Sequence, residues 1–298
     1  MKGFDGKFED KKKGIHKNIN SINKQIIQKA FHIHSQGNII EAAKLYQYLI
    51  KQGLNNQNVF SNYGGILKDL GNLKDAELYT RKAIEINPDF AVAHLNLGRI
   101  LKDLGNLKDA ELHTRKAIEI NPDFAMAHLN LGGILKDLGN LKDAELYTRK
   151  AIEINPDFAV AHLNLGRILK DLGNLKDAEL HTRKAIEINP NLAMAHLNLG
   201  GILKDLGNLK DAELYTRKAI EINPNFAMAH LNLGGILKDL GNLKDAELHT
   251  RKAIEINPDF PDSYLNLGGI LRNLGKLKDA ESCSKKIMSL RPWSIAGS

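Results

Sequence analysis

The sequence predicts an all-α protein built as a linear array of two-helix repeats, and three observations predict it. The letters AHLNLG begin at Ala93 and return four more times, each time 34 residues further along the chain. Within each interval, apolar residues recur at the three- and four-residue spacing of helices. No segment shows the alternation of a half-buried strand. A fixed period of about 20 to 50 residues is typical of solenoids, whose repeats pack on their neighbours.

The repeat occupies most of the chain. A degenerate copy at residues 23–56 keeps Ala42 and Tyr46 in register with the later copies, and we expect it to cap the array. Residues 1–22 are predicted to form a basic, disordered tail, and residues 295–298 a short second tail. The seven full copies are residues 57–90, 91–124, 125–158, 159–192, 193–226, 227–260 and 261–294.

Each copy carries the signals of two helices, as the second full copy illustrates. Its first helix begins at Ala91 and ends before Gly105, a residue type suited to the left-handed conformation beyond a helix end. Asn106 is a typical N-cap residue for the second helix, and Pro122 prevents that helix from continuing. Asp123 is then placed to cap the first helix of the next copy.

Composition and charge exclude several classes of protein. The hydrophobic content is 43%, and no apolar run is long enough to cross a bilayer. The amino terminus lacks the apolar core of a secretory signal, so a cytoplasmic location is predicted. The net charge of +7 comes from +6 in residues 1–56 and +3 in residues 261–298, while the six repeats between them carry −2. Because no basic stripe follows the array, we expect neither nucleic acid nor a membrane as a partner.

The order of small and bulky residues within one copy resembles a known family. A leucine and a glycine, Leu97 and Gly98, are followed by Ala110, Ala117 and Pro122 at the spacing of the tetratricopeptide repeat. This resemblance implies a right-handed superhelical solenoid of helix-turn-helix units. It also implies that the first helices line a concave groove in which extended peptides lie.

Three positions of the copy depart from the family's pattern. His94 stands where tryptophan is usual, Leu101 where tyrosine is usual, and Thr114 where an aromatic residue is usual. We expect these departures to change packing detail only. Histidine recurs at the position of His94 in five copies. Since stacked copies place equivalent residues about 10 Å apart, we expect packed, hydrogen-bonded imidazoles and no metal site.

One face of the first helix is predicted to line the groove. At about 100° per residue, Val92, Asn96, Arg99 and Asp103 lie opposite the packing side. An amide offers a donor and an acceptor, so an asparagine in every copy suits the backbone of an extended peptide. The pattern is similar to the asparagine ladder in the repeat domain of O-linked N-acetylglucosamine transferases. The alternative is that these asparagines only solvate a wet face. The candidate ladder is Asn62, Asn96, Asn130, Asn164, Asn198, Asn232 and Asn266.

Two arginines are the cations predicted at the ninth position of this face. Arg99 and Arg167 lie two copies apart, and each is expected to contact either an acidic side chain of a ligand or an aspartate four residues on. For these arginines, Asp103 and Asp171 are the more favoured partners. The positions that clamp a carboxylate tail in other members of the family are mostly apolar here, which argues against such a clamp.

No catalytic constellation is present, and Cys283, the single cysteine, excludes a disulfide framework. We therefore predict a non-enzymatic scaffold, without cofactor, that binds a protein or an extended peptide. The alternative is the targeting and substrate-presenting region of a larger glycosyltransferase, methyltransferase or sulfotransferase. The carboxy-terminal end is predicted to meet an adjoining domain or a second copy, because a solenoid needs a polar cap there.

Overall fold

The computed structural model describes residues 22–290, and every regular element in this range is an α-helix. The predicted all-α class and two-helix repeat are confirmed. The predicted tails lie outside the described residues, except for Ile22 in the first helix. The chain forms two compact units, Met1–Asn140 and Leu141–Ser298.

The first unit contains seven helices in its described part, and the second contains nine. In the first unit these are α1 (22–35), α2 (Ile39–Lys51), α3 (Gln57–Asp69), α4 (Leu73–Ile86), α5 (Ala91–Asp103), α6 (Leu107–Ile120) and α7 (Ala125–Asp137). In the second unit they are α8 (Leu141–Ile154), α9 (Ala159–Asp171), α10 (Leu175–Ile188), α11 (Ala193–Asp205), α12 (Leu209–Ile222), α13 (Ala227–Asp239), α14 (Leu243–Ile256), α15 (Pro261–Asn273) and α16 (Leu277–Leu290).

The second helices begin as the sequence predicts. Asn106 accepts a hydrogen bond from the backbone N–H of Asp109 at 3.4 Å and donates one to its carboxylate at 2.7 Å. Gly105, immediately before it, has a φ of 81°, which only glycine adopts without strain. The two residues together turn the chain from one helix of the pair into the other.

From α5 onward the first helices begin differently, and the predicted cap at Asp123 is wrong. Phe124 occupies the N-cap position of α7, and no side chain caps that helix. The carbonyl of Phe124 accepts the first helical hydrogen bonds, from the N–H groups of Ala127 and His128 at 2.8 and 3.2 Å. The helix starts one residue too late for Asp123 to serve as its cap.

The two helices of a repeat approach closely at one glycine. A Cβ atom at Gly98 would overlap Thr114 Oγ1 and lie 3.1 Å from the carbonyl oxygen of Ala110. Thr114 and Ala110 are both fully buried. The threonine that replaces the family's aromatic residue therefore fills the space that the glycine leaves open.

Neighbouring repeats share their cores. Leu97, Leu101 and Ala110 pack with Ile134 of the following repeat, and the second unit repeats this cluster. In each unit the first helices also contact one another in sequence, for example α9 with α11 and α11 with α13, whereas the second helices make no comparable contacts among residues 22–290. The first helices therefore form one layer of each stack, and the second helices form the other. The side of the first helices that faces away from the second helices carries Val92, Asn96, Arg99 and Asp103 in α5.

Candidate peptide-binding surface

The candidate site is the groove face, which we define as the second, sixth, ninth, twelfth and thirteenth residues of the first helices. In α5, Val92, Arg99 and Asp103 are exposed, and Asn96 and Lys102 are half-buried. The predicted orientation of the helix is therefore correct. The asparagine differs from its neighbours because its side chain lies partly between repeats.

The amide nitrogen of the asparagine takes part in the junction between repeats. Asn198 Nδ2 donates to Thr182 Oγ1 of the preceding repeat at 3.0 Å, and Thr182 Oγ1 donates to the carbonyl of Ala178 at 2.7 Å. In the first unit, Asn130 and Thr114 make the same contact at 3.1 Å. The amide nitrogen is thus structural. Neither the peptide-binding nor the solvation interpretation of the ladder included this role.

The other asparagines keep the position and vary in partner. Asn96 Nδ2 donates to Ser61 Oγ at 3.1 Å, and Asn62 Nδ2 donates to the hydroxyl of Tyr46 at 3.5 Å. Asn266 Nδ2 reaches Thr250 Oγ1 at 3.3 Å. Asn164 and Asn232 are half-buried at the equivalent positions.

The amide oxygen of the asparagine is differently placed. Within residues 22–290, no donor reaches Oδ1 of Asn130 or Asn198, and neither oxygen is a buried unsatisfied atom. Because the nitrogen is held by the threonine, the direction of the oxygen is fixed as well. The groove face therefore presents acceptors of defined orientation.

Ion pairs across the repeats form a second row that sequence reasoning missed. Lys102 Nζ lies 2.9 Å from the carboxylate of Asp137, and Lys68 Nζ lies 3.1 Å from that of Asp103. The second unit has the same contact between Lys170 and Asp205 at 3.0 Å. These partners are 35 residues apart, so a search at helical spacing does not find them. The recurrence of Lys-Asp at the twelfth and thirteenth positions was the available signal.

The predicted pairing of Arg99 with Asp103 is wrong. The Asp103 carboxylate contacts Lys68 from the preceding repeat, which already neutralises it. Arg99 and Arg167 are exposed, and within the described residues neither guanidinium contacts an acidic side chain. Each unit therefore carries an arginine without an anionic partner on its groove face.

Two adjoining hollows lie on the groove face of the second unit. The first has a volume of about 270 Å³ and the second about 320 Å³, and they share Lys170, Gly201 and Asn232. Arg167, Met194, Leu197, Asn198, Phe226 and Met228 complete the first hollow. Lys204, Asp205, Leu231, Gly235, Ile236, Asp262 and Asn266 complete the second hollow.

Models of the family described as Tetratricopeptide repeat match successive segments of the chain. The segments are 58–90, 91–124, 126–158, 159–192, 193–226, 215–247 and 249–282. The chain belongs to the tetratricopeptide repeat family. Such arrays are protein-interaction scaffolds and are typically not catalytic.

Distantly related solved structures have a fold similar to that of this chain. A chain in the crystal structure of the APC/C hetero-tetramer Cut9–Hcn1 aligns with a TM-score of 0.73 at 15% identity, covering 91% of this chain and 53% of that one. Pseudomonas aeruginosa pilF aligns with a TM-score of 0.61 at 22% identity, covering 69% and 93%. The chain thus spans about half the length of the first neighbour. A search of curated proteins finds no significant match.

Three histidine pairs lie inside the tetratricopeptide repeats, away from the groove face. His94 Nε2 lies 2.9 Å from the carbonyl oxygen of Pro88, which can only accept, so Nε2–H donates. His94 Nδ1 lies 3.1 Å from His113 Nδ1, and in the neutral pair His113 is therefore the donor. The pairs His162–His181 and His230–His249 repeat this distance.

These contacts confirm the packed, hydrogen-bonded imidazoles that the sequence predicts. Burial lowers the pKa of His113, and the nearby His94 lowers it further. Among residues 22–290, no three His, Cys, Asp or Glu side chains converge as metal ligands.

The last described repeat of the array exposes apolar side chains. Leu277 is 68% exposed and Met288 is 60% exposed on α16. A hollow of about 480 Å³ in this part of the chain is lined in part by Tyr264, Cys283 and Arg251. Burial raises the pKa of the Cys283 thiol.

The predicted contact of this end with a domain or a second copy stays a prediction, as does the role in a larger enzyme. Over the described range, no helix combines the length and apolar character that a membrane span requires.

Proposed function

We propose that the groove face binds an extended segment of a partner protein by hydrogen bonds to its backbone. The observation that carries this proposal is the fixed asparagine amide. Its nitrogen is held by a threonine of the preceding repeat, and its oxygen is open at Asn130 and Asn198. An acceptor that is held before binding loses little conformational freedom when it receives a peptide N–H, which favours affinity.

The spacing of repeats suits this mode of binding. Each first helix contributes one asparagine, so an extended segment meets an acceptor at regular intervals whatever side chains it carries. The ninth position then distinguishes repeats, because arginine stands at Arg167 and glycine at Gly201 and Gly235. Backbone contacts would give affinity, and the variable position would give selectivity.

The test uses random peptides displayed on phage and selected against the full 298-residue protein. We expect peptides that bind the protein and lose about fivefold in affinity for each asparagine changed to alanine at Asn198 and Asn232. Asn225, exposed on the turn before α13, provides the matched control, since Asn225→Ala leaves the groove face intact. Selected peptides whose affinity is unchanged by Asn198→Ala and Asn232→Ala would contradict the proposal.

Stability must be measured separately, because the amide is also structural. We expect Asn198→Ala to lower stability by about 1 kcal/mol through loss of its bond to Thr182. Thr182→Val removes the same bond and keeps the asparagine oxygen, although the oxygen is then no longer held in one direction. A loss of stability in both variants, with a loss of affinity mainly in the first, is the expected pattern.

A further inference from the structure

We infer that the first hollow of the second unit selects a segment in which an acidic side chain lies beside a bulky apolar one. The inference rests on the proposed function, because the hollow is part of the groove face. It names the kind of segment that is bound. The hollow brings together an arginine without an anionic partner and exposed apolar side chains.

The charge of the hollow favours the binding of one anionic side chain. Arg167 and Lys170 both line it, and no lining residue is acidic. Lys170 is already neutralised by Asp205 at 3.0 Å. Within the part of the chain that the structure describes, Arg167 is left as the free cation of the hollow, and a guanidinium binds a carboxylate through two parallel hydrogen bonds. A lysine-bearing segment would instead place like charges together.

The apolar wall of the hollow favours the binding of one bulky apolar side chain. Met194 is 41% exposed and Met228 is 43% exposed, and half-buried Phe226 lies with them. Methionine adapts its shape to an apolar partner, and burying these side chains stabilises a complex. In an extended segment, side chains two residues apart point to the same side, about 7 Å from each other. An acidic residue followed two positions later by leucine, methionine or phenylalanine therefore fits this wall.

The change from arginine to glycine at the ninth position of successive repeats creates the space. Glycine at Gly201 leaves room where an arginine side chain stands at Arg167 one repeat earlier. A Cβ atom at Gly201 would lie 3.1 Å from Lys170 Nζ, so the lysine passes directly over the glycine. The adjoining hollow includes the polar side chains of Lys204 and Asn266. The segment is therefore expected to continue into it with polar residues.

The test compares three short synthetic peptides with the same serine background. They carry Asp-Ser-Leu, Lys-Ser-Leu or Asp-Ser-Ser, and fluorescence anisotropy measures their affinity for the full chain. We expect the first to bind about tenfold more tightly than either of the others, as one charge-assisted contact and one buried side chain each contribute. Binding of the first peptide should weaken as salt is added, because the arginine contact is exposed.

Variants assign this selectivity to Arg167. Arg167→Gly introduces glycine, which stands at the same position of the next two repeats as Gly201 and Gly235, so the fold accepts it. This substitution should abolish the preference for aspartate. Arg167→Glu should reverse the preference towards the lysine peptide. Lys210→Glu, on the exposed side of α12, changes the net charge as much as Arg167→Glu does and should leave the preference unchanged.

The outcomes separate this inference from the proposed function. Equal binding of the aspartate and lysine peptides, together with phage-selected peptides that depend on Asn198 and Asn232, would overturn the inference alone. Preference for aspartate that persists in Arg167→Gly would also overturn it. Failure of every peptide, including those selected from the library, would overturn the proposed function.

Discussion

The internal repeats of the second unit and its last described repeat, residues 261–290, have the same helices but different contacts between them. In an internal repeat, buried Thr216 donates to the carbonyl of Ala212 at 2.7 Å. The equivalent Ser284 is half-buried and its bond to Ala280 is longer, at 3.3 Å. The buried threonine therefore serves the close contact between the two helices of an internal repeat, and at Thr182 and Thr250 it also accepts a hydrogen bond from Asn198 and Asn266 of the next repeat.

The largest expected difference concerns the glycine at the eighth position of the first helix. A Cβ atom at Gly200 would overlap Thr216 Oγ1 and lie 3.1 Å from the carbonyl oxygen of Ala212. Because Thr216 is fully buried and hydrogen-bonded, it has no free direction in which to move. We expect Gly200→Ala to lower stability by about 1–3 kcal/mol, the usual cost of overpacking a core.

The same change in the last repeat provides the control. A Cβ atom at Gly268 would lie 3.6 Å from Cys283 Cβ and 3.8 Å from the carbonyl oxygen of Ala280, which are ordinary contacts. Alanine is favoured over glycine inside a helix by about 1 kcal/mol, so Gly268→Ala should be neutral or stabilising. Urea denaturation of both variants measures the difference. Equal losses of stability would show that the close contact is not specific to internal repeats.

This contrast marks the boundary of what the sequence alone predicts. Local signals suffice for the helices and for the turn at Gly105 and Asn106, since each acts within a few residues. The pattern also places Asn96 on the correct face. Its bond to Ser61, and the lysine bridges, depend on the rotation between successive repeats, which no spacing within one repeat specifies. For the same reason the partner of Asp103 could not be predicted.

The histidine pairs are a second difference, because the last repeat has Tyr264 and Cys283 at these positions. Burial lowers the pKa of His181, and the neighbouring His162 and Arg149 lower it further. The carboxylates of Asp177 and Glu145 oppose this lowering. His249 is shifted in the same direction. Protonating both members of a pair would bring two N–H groups head to head across 3.1 Å.

The sign of the pH dependence follows from these lowered pKa values. The unfolded histidine has a pKa of about 6.5, so on acidification the unfolded chain takes up protons before the folded one. The stabilisation is fully present above about pH 6.5 and is lost as the pH falls through the lower pKa of the folded state. We expect the melting temperature to fall as the pH is lowered from about 7 to about 5. Tyr264 and Cys283 do not titrate in this range.

Tyrosine is the matched replacement, because Tyr215 occupies the equivalent position opposite His196 in a neighbouring repeat. The combined variant His113→Tyr, His181→Tyr and His249→Tyr should show a smaller fall in melting temperature on acidification. The measurement is a series of thermal denaturation curves across this pH range. If the variant and the unchanged protein fall in parallel, other groups cause the pH dependence.

The smallest expected effect concerns the lysine bridges of the groove face. Lys204 contacts Asp239 at 3.0 Å, but the residue that follows in this row is Asn273. Lys238 therefore contacts no acidic side chain within the described residues. Asn273→Asp should restore the missing bridge and stabilise the last repeat by a few tenths of a kcal/mol, up to about 1 kcal/mol, as for other exposed ion pairs.

Salt dependence and the reverse substitution sharpen this last comparison. In about 1 M NaCl the screening length falls to about 3 Å, so the gain from Asn273→Asp should largely disappear. Asp239→Asn removes the bridge to Lys204 in an internal repeat and should cost a similar amount. Urea denaturation at low and high salt measures both variants. A gain from Asn273→Asp that persists at high salt would have to come from a contact other than Lys238. A cost of Asp239→Asn without any gain from Asn273→Asp would mean that the last two first helices are rotated differently from the internal ones.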